Sequence, residues 1–298
     1  MDERELEYKF NLAMEYEKEE KYLHAIQLYT YLLNAPSYKR DSAVQLHRIY
    51  EKINNIEQAS KAVKNYLNDV PDDFEVRKYY ALFLMKHSFY EEGAEQLSML
   101  SAAEIPEIKF LTGLNGFFRK DYNTAAVDLT DFLSVNGSSD YLHDAYFYLS
   151  KSHLELNNIE KALEAAREAD KIFSNSEELQ LLLAKIYLLK GLNLHAFDSV
   201  SKGLRINNES RQMNELAGRI LIEIGEFDKA ENHLNKIVGE SDQQDEILTL
   251  LGLIHLKKAE YKKAEELFSK ALTLNPFNRH ALEKIKVCTE NLNKQNIS

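Results

Sequence analysis

The sequence predicts an all-α fold, an α-solenoid of stacked helical hairpins, and three observations carry that prediction. Eight small residues, Ala25, Ala59, Gly93, Ala125, Ala162, Ala196, Ala230 and Ala264, recur at steps of 34, 34, 32, 37, 34, 34 and 34. A period of about 20–50 residues means that one supersecondary unit is stacked on itself. Glycine (10) and proline (4) are scarce in 298 residues while Leu, Ala, Glu and Lys dominate, which favours helix throughout and argues against sheet. All four prolines, Pro36, Pro71, Pro106 and Pro276, fall at junctions between repeats, where a helix ends or starts and a missing N–H costs least.

Setting each small residue at the same point of a 34-residue frame gives units starting at Leu6, Arg40, Phe74, Pro106, His143, Glu177, Arg211 and Asp245. In each, two amphipathic stretches flank a short polar break. The middle of the ladder is disturbed: the unit from Phe74 is two residues short and the unit from Pro106 three long, with Val135-Asn-Gly-Ser-Ser-Asp as the extra loop, so a local change of pitch is expected over 101–142. Within the unit from Pro106, Gly113 and Gly116 interrupt the first helix at a cost of about 1 kcal/mol each against alanine, and a close approach by a neighbouring helix or Phe117 should compensate. In the units from Glu177 and Arg211, Gly191 and Gly225 sit at the internal turn, where a helix C-terminus needs positive φ. In the last unit, Ile247, Leu248, Leu251, Ile254 and His255 fall at helical spacing, Lys258-Ala-Glu breaks them, and Ala264, Leu267, Phe268, Ala271 and Leu272 repeat the pattern. A closing helix over about 279–293 follows, expected to turn Leu282, Ile285 and Leu292 inward and Glu283, Lys284, Lys286 and Glu290 outward. One unit cannot bury its own apolar face, so the chain is expected to form a single domain, 1–298, whose stability sums unit and interface terms.

These residues resemble the tetratricopeptide repeat family. The match is fullest in the last unit, through Leu251-Gly252, His255, Tyr261, Ala264, Phe268, Ala271 and Pro276, and good from residue 143 onward, through Leu149-Ser150, Ala162, Ala169, Ala184, Tyr187, Ala196, Gly218, Phe227 and Ala230. The first four units are looser, with His47 where the family has a small residue and Leu32, Tyr66, Leu100 and Phe132 where it has alanine. The resemblance implies a right-handed superhelix of eight helix-turn-helix units plus a C-terminal capping helix. It also implies a concave groove lined by the second, fifth, sixth, ninth, twelfth and thirteenth places of each first helix.

Reading out those places gives the surface a guest would meet. The second place holds Glu7, Asp41, Glu75, Glu107, Asp144, Glu178, Gln212 and Glu246; first-turn carboxylates are favoured by the helix dipole at about 0.3–1 kcal/mol, and an acidic rim is a by-product. The fifth, sixth and ninth places of the middle units hold Tyr79 and Leu82, Phe110 and Leu114, Phe147, Tyr148 and Lys151, and Leu181 and Lys185; Phe117 and Phe118 extend this aromatic band. Such a band, if exposed, exceeds what a monomer leaves uncovered, so a guest, another copy or the protein's own coil should cover it. Lys151, Lys185 and Arg219 share the ninth place of successive units, either as solvated cations or as a basic row orienting a carboxylate-bearing segment, with Arg219 placed for a bidentate grip. The Lys, Asn, Asn, Lys, Arg set by which co-chaperone members of the family hold a terminal carboxylate is not supplied by any three successive units.

Other chemistry is not marked. A formal charge of −11 argues against a general nucleic-acid binder, which needs a basic field. Cys288 is the sole cysteine, so no internal disulfide and no cysteine zinc site is expected; this fits a reducing compartment. The nine histidines form no ligand pair, and no phosphate loop, nucleophile elbow or singled-out carboxylate is present, so no metal, cofactor or enzymatic activity is expected. The charged start Met-Asp-Glu-Arg-Glu-Leu has no apolar signal region, and no window approaches 18 apolar residues, so the expectation is a cytoplasmic protein without a membrane span. The reading is a non-enzymatic scaffold binding a partner peptide, helix or loop through the aromatic band and basic row. The alternative is a self-assembling structural protein, a dimer, ring or filament formed through the same groove or the stack ends.

Overall fold

The computed structural model describes residues 2–100, 107–135, 140–239 and 244–297. Among them are seventeen α-helices: α1 (Glu3–Lys18), α2 (Tyr22–Leu32), α3 (Pro36–Lys52), α4 (Ile56–Asp69), α5 (Phe74–Lys86), α6 (Tyr90–Ser98), α7 (Ile108–Phe118), α8 (Tyr122–Val135), α9 (Leu142–Glu155), α10 (Ile159–Ile172), α11 (Glu177–Leu189), α12 (Asn193–Ile206), α13 (Arg211–Glu223), α14 (Phe227–Ile237), α15 (Gln244–Lys257), α16 (Tyr261–Leu274) and α17 (Arg279–Ile297). They pair in sequence order into hairpins, α1 with α2 through α15 with α16, and α17 closes on α16 and α15. The fold is therefore an all-α helical solenoid. Most of the expected extra loop, residues 136–139, and residues 101–106 of the stretch in which a change of pitch is expected lie outside the described residues.

Every hairpin closes in the same way. Glu20, Asn54, Ser88, Lys120, Asn157, Gly191, Gly225 and Ala259 all take positive φ, between 58° and 84°. The residue after each donates its N–H to a carbonyl five residues back at 2.8 Å, from Lys21 to Tyr16 through Glu260 to His255. This is the Schellman closure, which satisfies a carbonyl left open at the end of the first helix. Glycine marks the turn in only two hairpins; the other six hold an L residue there, which costs about 1–2 kcal/mol in that conformation.

Inside each hairpin the expected close approach is present. The ladder residues Ala25, Ala59, Ala125, Ala162, Ala196, Ala230 and Ala264 have no exposed surface, and Gly93 is buried with them. The eighth place of each first helix faces the twenty-fourth of its partner, and their sizes compensate. A Cβ on Gly113 would lie 2.7 Å from Leu129, one on Gly218 2.6 Å from Leu234, and one on Gly252 2.7 Å from Phe268. At Gly116 it would meet Ala125 N at 3.2 Å and Asp121 O at 3.3 Å, so the second helix, and not Phe117, supplies the compensation there. His47 and Ser150 occupy the eighth place with polar groups and bond across the hairpin, His47 Nδ1 to Ala59 O at 3.0 Å and Ser150 Oγ to Ala162 O at 2.8 Å.

Two compact units result, Met1–Asn136 and Gly137–Ser298. In the first, one core gathers Leu6, Tyr29, Leu32 and Ile49 and another Val63, Leu67, Val76, Tyr80 and Leu84. In the second, a continuous core runs from Phe147 through Leu179, Ile186, Met213, Ile220 and Leu234 to Ile254. The final core joins Leu248, Ala264, Phe268 and Ala271 to Ala281 and Cys288 of α17. This corrects the expected face of α17: Leu282 is 41% exposed, and Ala281 and Cys288 point inward with Ile285 half-buried. The reason is register. Thirty-four residues after Asp245, α17 stands as one more first helix, so Ala281 and Cys288 take the places held by Met213 and Ile220 in α13 and Ile247 and Ile254 in α15.

Candidate functional site

In the first unit the predicted aromatics mostly occupy one another. Phe110 is a core side chain, 4% exposed, packed on Phe132 with ring centroids 5.5 Å apart. Half-buried Tyr79 stands edge-on to His47 at 4.9 Å. Phe118 stacks on Tyr90 at 5.5 Å and 8°, and Phe117 packs on Phe118 and Tyr122, each at 5.6 Å. Leu82 is exposed and Leu114 half-buried. Phe110 is thus part of the hairpin interior and not a lining residue, because Phe132 fills the place the family gives to alanine and the two rings pack together.

The second unit carries a different surface. Phe147 is also buried, between the parallel ring of His143 and the edge-on ring of Tyr148. Lys151 lays its ammonium over Phe147 and Tyr148, 5.1 and 5.4 Å from their centroids. Burial, then Asp144 and Glu178, pushes the Tyr148 phenol up, so it stays a neutral hydrogen-bonding group. Leu181 is half-buried beside this pair, while Lys185 is exposed and makes no ion pair or hydrogen bond among the described residues. Arg219 is already engaged: its Nε reaches Glu215 Oε1 at 3.0 Å and its Nη2 reaches Glu246 Oε2 at 3.0 Å. A bidentate grip on a guest therefore has to displace these pairs, which are exposed and worth about 0.2–1 kcal/mol each. The second-place carboxylates sit in the first helical turn at Glu75, Asp144, Glu178 and Glu246, but not at Glu7 or Asp41, because α1 and α3 begin earlier than the frame.

Toward the end of this unit the first helices enclose a cavity of 580 Å³ that the sequence reading missed. Its floor is apolar, from Leu188 of α11, Leu216 of α13 and Leu250 and Leu253 of α15, and one wall is α17, through Arg279, His280 and Lys284. These are the sixth, ninth and twelfth places of the last three units, with Arg279 and Lys284 in the first and sixth places of α17. Only the assumption that α17 is a polar lid hid it.

A polar lock fixes that wall. Asn278 caps α17, accepting from Ala281 N at 3.1 Å, and its amide donates to Asp245 Oδ2 at 2.9 Å and Thr249 Oγ1 at 3.1 Å. Asn275 donates to the same Asp245 oxygen at 2.9 Å. Asp245 is 8% exposed, so these amides stand in for the water it has lost.

Among the described residues no helix is long and apolar enough to cross a membrane. The family model for the tetratricopeptide repeat matches residues 245–278, which is the α15–α16 hairpin. BBSome complex member BBS4 of Bos taurus is 30% identical over 134 residues, 45% of this chain and 26% of that protein, so the chain matches about a quarter of its curated relative. A tetratricopeptide repeat protein from Parabacteroides merdae superposes over 84% of this chain and 98% of its own, with a TM-score of 0.56 at 14% identity. YrrB, a TPR protein with an unusual peptide-binding site, superposes over 76% of this chain and 99% of its own, with a TM-score of 0.50 at 14% identity.

Proposed function

Because the chain belongs to the tetratricopeptide-repeat proteins, we propose that it is a non-enzymatic interaction scaffold that seats a partner peptide, helix or loop on the first-helix face of residues 140–284. The observation that carries this reading is the 580 Å³ cavity, apolar at its floor and lined by Arg219 of the basic row. Preformed clefts of about 300–1,000 Å³ lined by apolar side chains with a few charged groups are the usual form of a binding site. The relatives agree in kind: one is a member of a complex and another has a peptide-binding site.

Contact residues on this reading are Tyr148, Lys151, Leu181, Lys185 and Arg219 with the cavity floor, and Phe147 supports them from beneath. Partner capture from the source cell should be lost on Tyr148→Ser with Lys185→Glu and kept on Lys202→Glu with Lys229→Glu, which alter the second helices α12 and α14. Equal loss in both pairs, or none in either, contradicts the assignment.

The face of α17 is poorly made for taking a second helix from another copy. α17 carries exposed Lys286 in the eighth place, where every complete hairpin has a buried residue against its second helix. A second helix donated by another copy meets an ammonium there. Light scattering should give one monomer mass across a wide concentration range; a mass that grows with concentration supports assembly instead.

A further inference from the structure

Two of the four methionines among the described residues, Met85 and Met213, are buried, while Met99 is the most exposed, at 55%. Met99 closes α6 as its C-cap, and its sulfur lies 2.9 Å from Nη1 of Arg77, a residue only 6% exposed. The other acceptors of Arg77 are neutral too: Nη1 donates to Gln96 Oε1 at 2.7 Å and Nη2 to Pro71 O at 2.7 Å, while the buried Nε has no partner. Among the described residues Arg77 makes no ion pair.

The fold does not need a cation at this place. Gln180 and Asn214 stand at the same fourth place of their units and reach the same linker carbonyl, six residues back, with neutral amides: Ser174 O at 3.2 Å and Asn208 O at 2.9 Å. Arg77 makes that bond to Pro71 and brings in addition a permanent charge, one arm of which ends on a thioether, a weak acceptor. A buried cation is stabilised by strong acceptors, and here one of its three contacts is of the weakest kind.

We propose that Met99 is an oxidation site whose sulfoxide is held by Arg77. The sulfur lone pair attacks one oxygen of hydrogen peroxide, the O–O bond breaks, and sulfur gives two electrons to the peroxide; the departing hydroxide takes the proton of the transferred oxygen, which leaves the sulfoxide and water. The exposed, unbranched side chain withdraws to set the new oxygen where the sulfur stood, and Arg77 gains a strongly polar acceptor. At Met85 or Met213 the same reaction puts a polar group into packed apolar surroundings. At Met99 it answers a buried charge and tightens the end of α6 on α5. Methionine sulfoxide reductases restore the thioether, so the change is reversible.

The test treats the full chain with dilute hydrogen peroxide, maps the modified residues by peptide mass spectrometry and follows hydrogen exchange of the Met99-oxidised protein. Met99 should oxidise before Met14, Met85 and Met213, and amides in the last turn of α6 should then exchange about tenfold more slowly, the size of one hydrogen bond to a charged group. Arg77→Gln keeps a donor for Pro71 O and should abolish that slowing while Met99 still oxidises. Without peroxide, Met99→Gln sets an amide oxygen near Arg77 and should slow the same amides, whereas Met99→Leu should not. Both of these substitutions are at an exposed position, so the comparison holds whether or not Arg77→Gln folds. Earlier oxidation of any of the other three methionines, unchanged or faster exchange after oxidation, the same slowing in Arg77→Gln, or equal exchange in the two Met99 variants overturns the proposal.

Discussion

Replacing Asn278 with alanine perturbs the lock of α17 at its centre, and the structure sets the size of the effect. The substitution removes the cap on Ala281 N, typically about 1 kcal/mol. It also removes an amide bonded to the Asp245 carboxylate and Thr249, and a bond to a charged group contributes roughly 1.5–3 kcal/mol. Together these take about 2.5–4 kcal/mol from a helix that docks through little more than Ala281, Ile285 and Cys288. In a solenoid the loss is local, since a terminal element contacts only its neighbours. Hydrogen exchange followed by mass spectrometry should show α17 amides exchanging about two to three powers of ten faster, with α11 and α12 unchanged. Asn278→Asp separates the two contributions. It keeps the cap but sets a second carboxylate against Asp245, so α17 should loosen at neutral pH as it does with alanine. If Asn278→Asp restores normal exchange, or alanine leaves α17 protected, the bridge to Asp245 is not what holds this wall.

Several further outcomes follow from the packing and the charges. Phe110→Ala and Phe147→Ala should each destabilise by about 3–5 kcal/mol in urea titrations, as core truncations do; a loss of binding without a loss of stability would return these residues to the groove. Ala259→Gly should raise stability by up to about 1 kcal/mol, because the turn φ of 60° suits glycine and the gain exceeds the extra chain entropy; a lower melting temperature would mean that the Schellman turn carries no strain. Burial pushes the imidazoles of His47, His153 and His233 below 6.5, so they fold neutral, while the unfolded chain protonates near that value. Their contribution is complete above about pH 6.5 and is lost as pH falls from there toward the depressed folded values, so the melting midpoint should drop between pH 7 and 5. Paired Glu51, Asp228 and Glu231 sit below their ordinary values and do not weaken in that window, so a flat profile down to pH 5 would contradict the histidine account.

The helical hairpins were legible because the close approach of two helices demands small residues at a fixed place, and the ladder from Ala25 to Ala264 records that demand directly. The turns were less so. Glu20, Ser88, Lys120 and Ala259 adopt the same left-handed closure as Gly191 and Gly225, and only the carbonyl geometry of the finished helix reveals it. Of the residues the frame put forward, Lys185 and Arg219 are exposed and Tyr148, Lys151 and Leu181 half-buried, yet Phe110 and Phe147 share that frame and are buried, since a helical place fixes direction but not depth. Packing partners such as Phe132 and His143 decide depth, and they come from another helix or another turn. The cavity needed one more step, recognising that α17 keeps the register of a first helix. Ala281 and Cys288 held that signal; the charged residues around them obscured it.

The central claim, that partners are held on the first-helix face of residues 140–284, is tested most directly by mapping where a bound peptide protects the backbone. Hydrogen exchange on the chain with and without a library-selected peptide should show added protection in α11, α13, α15 and α17, strongest beside Leu250, Leu253 and Lys284, and none in α12, α14 or α16. Protection confined to the second helices, or to the first unit, would contradict the account.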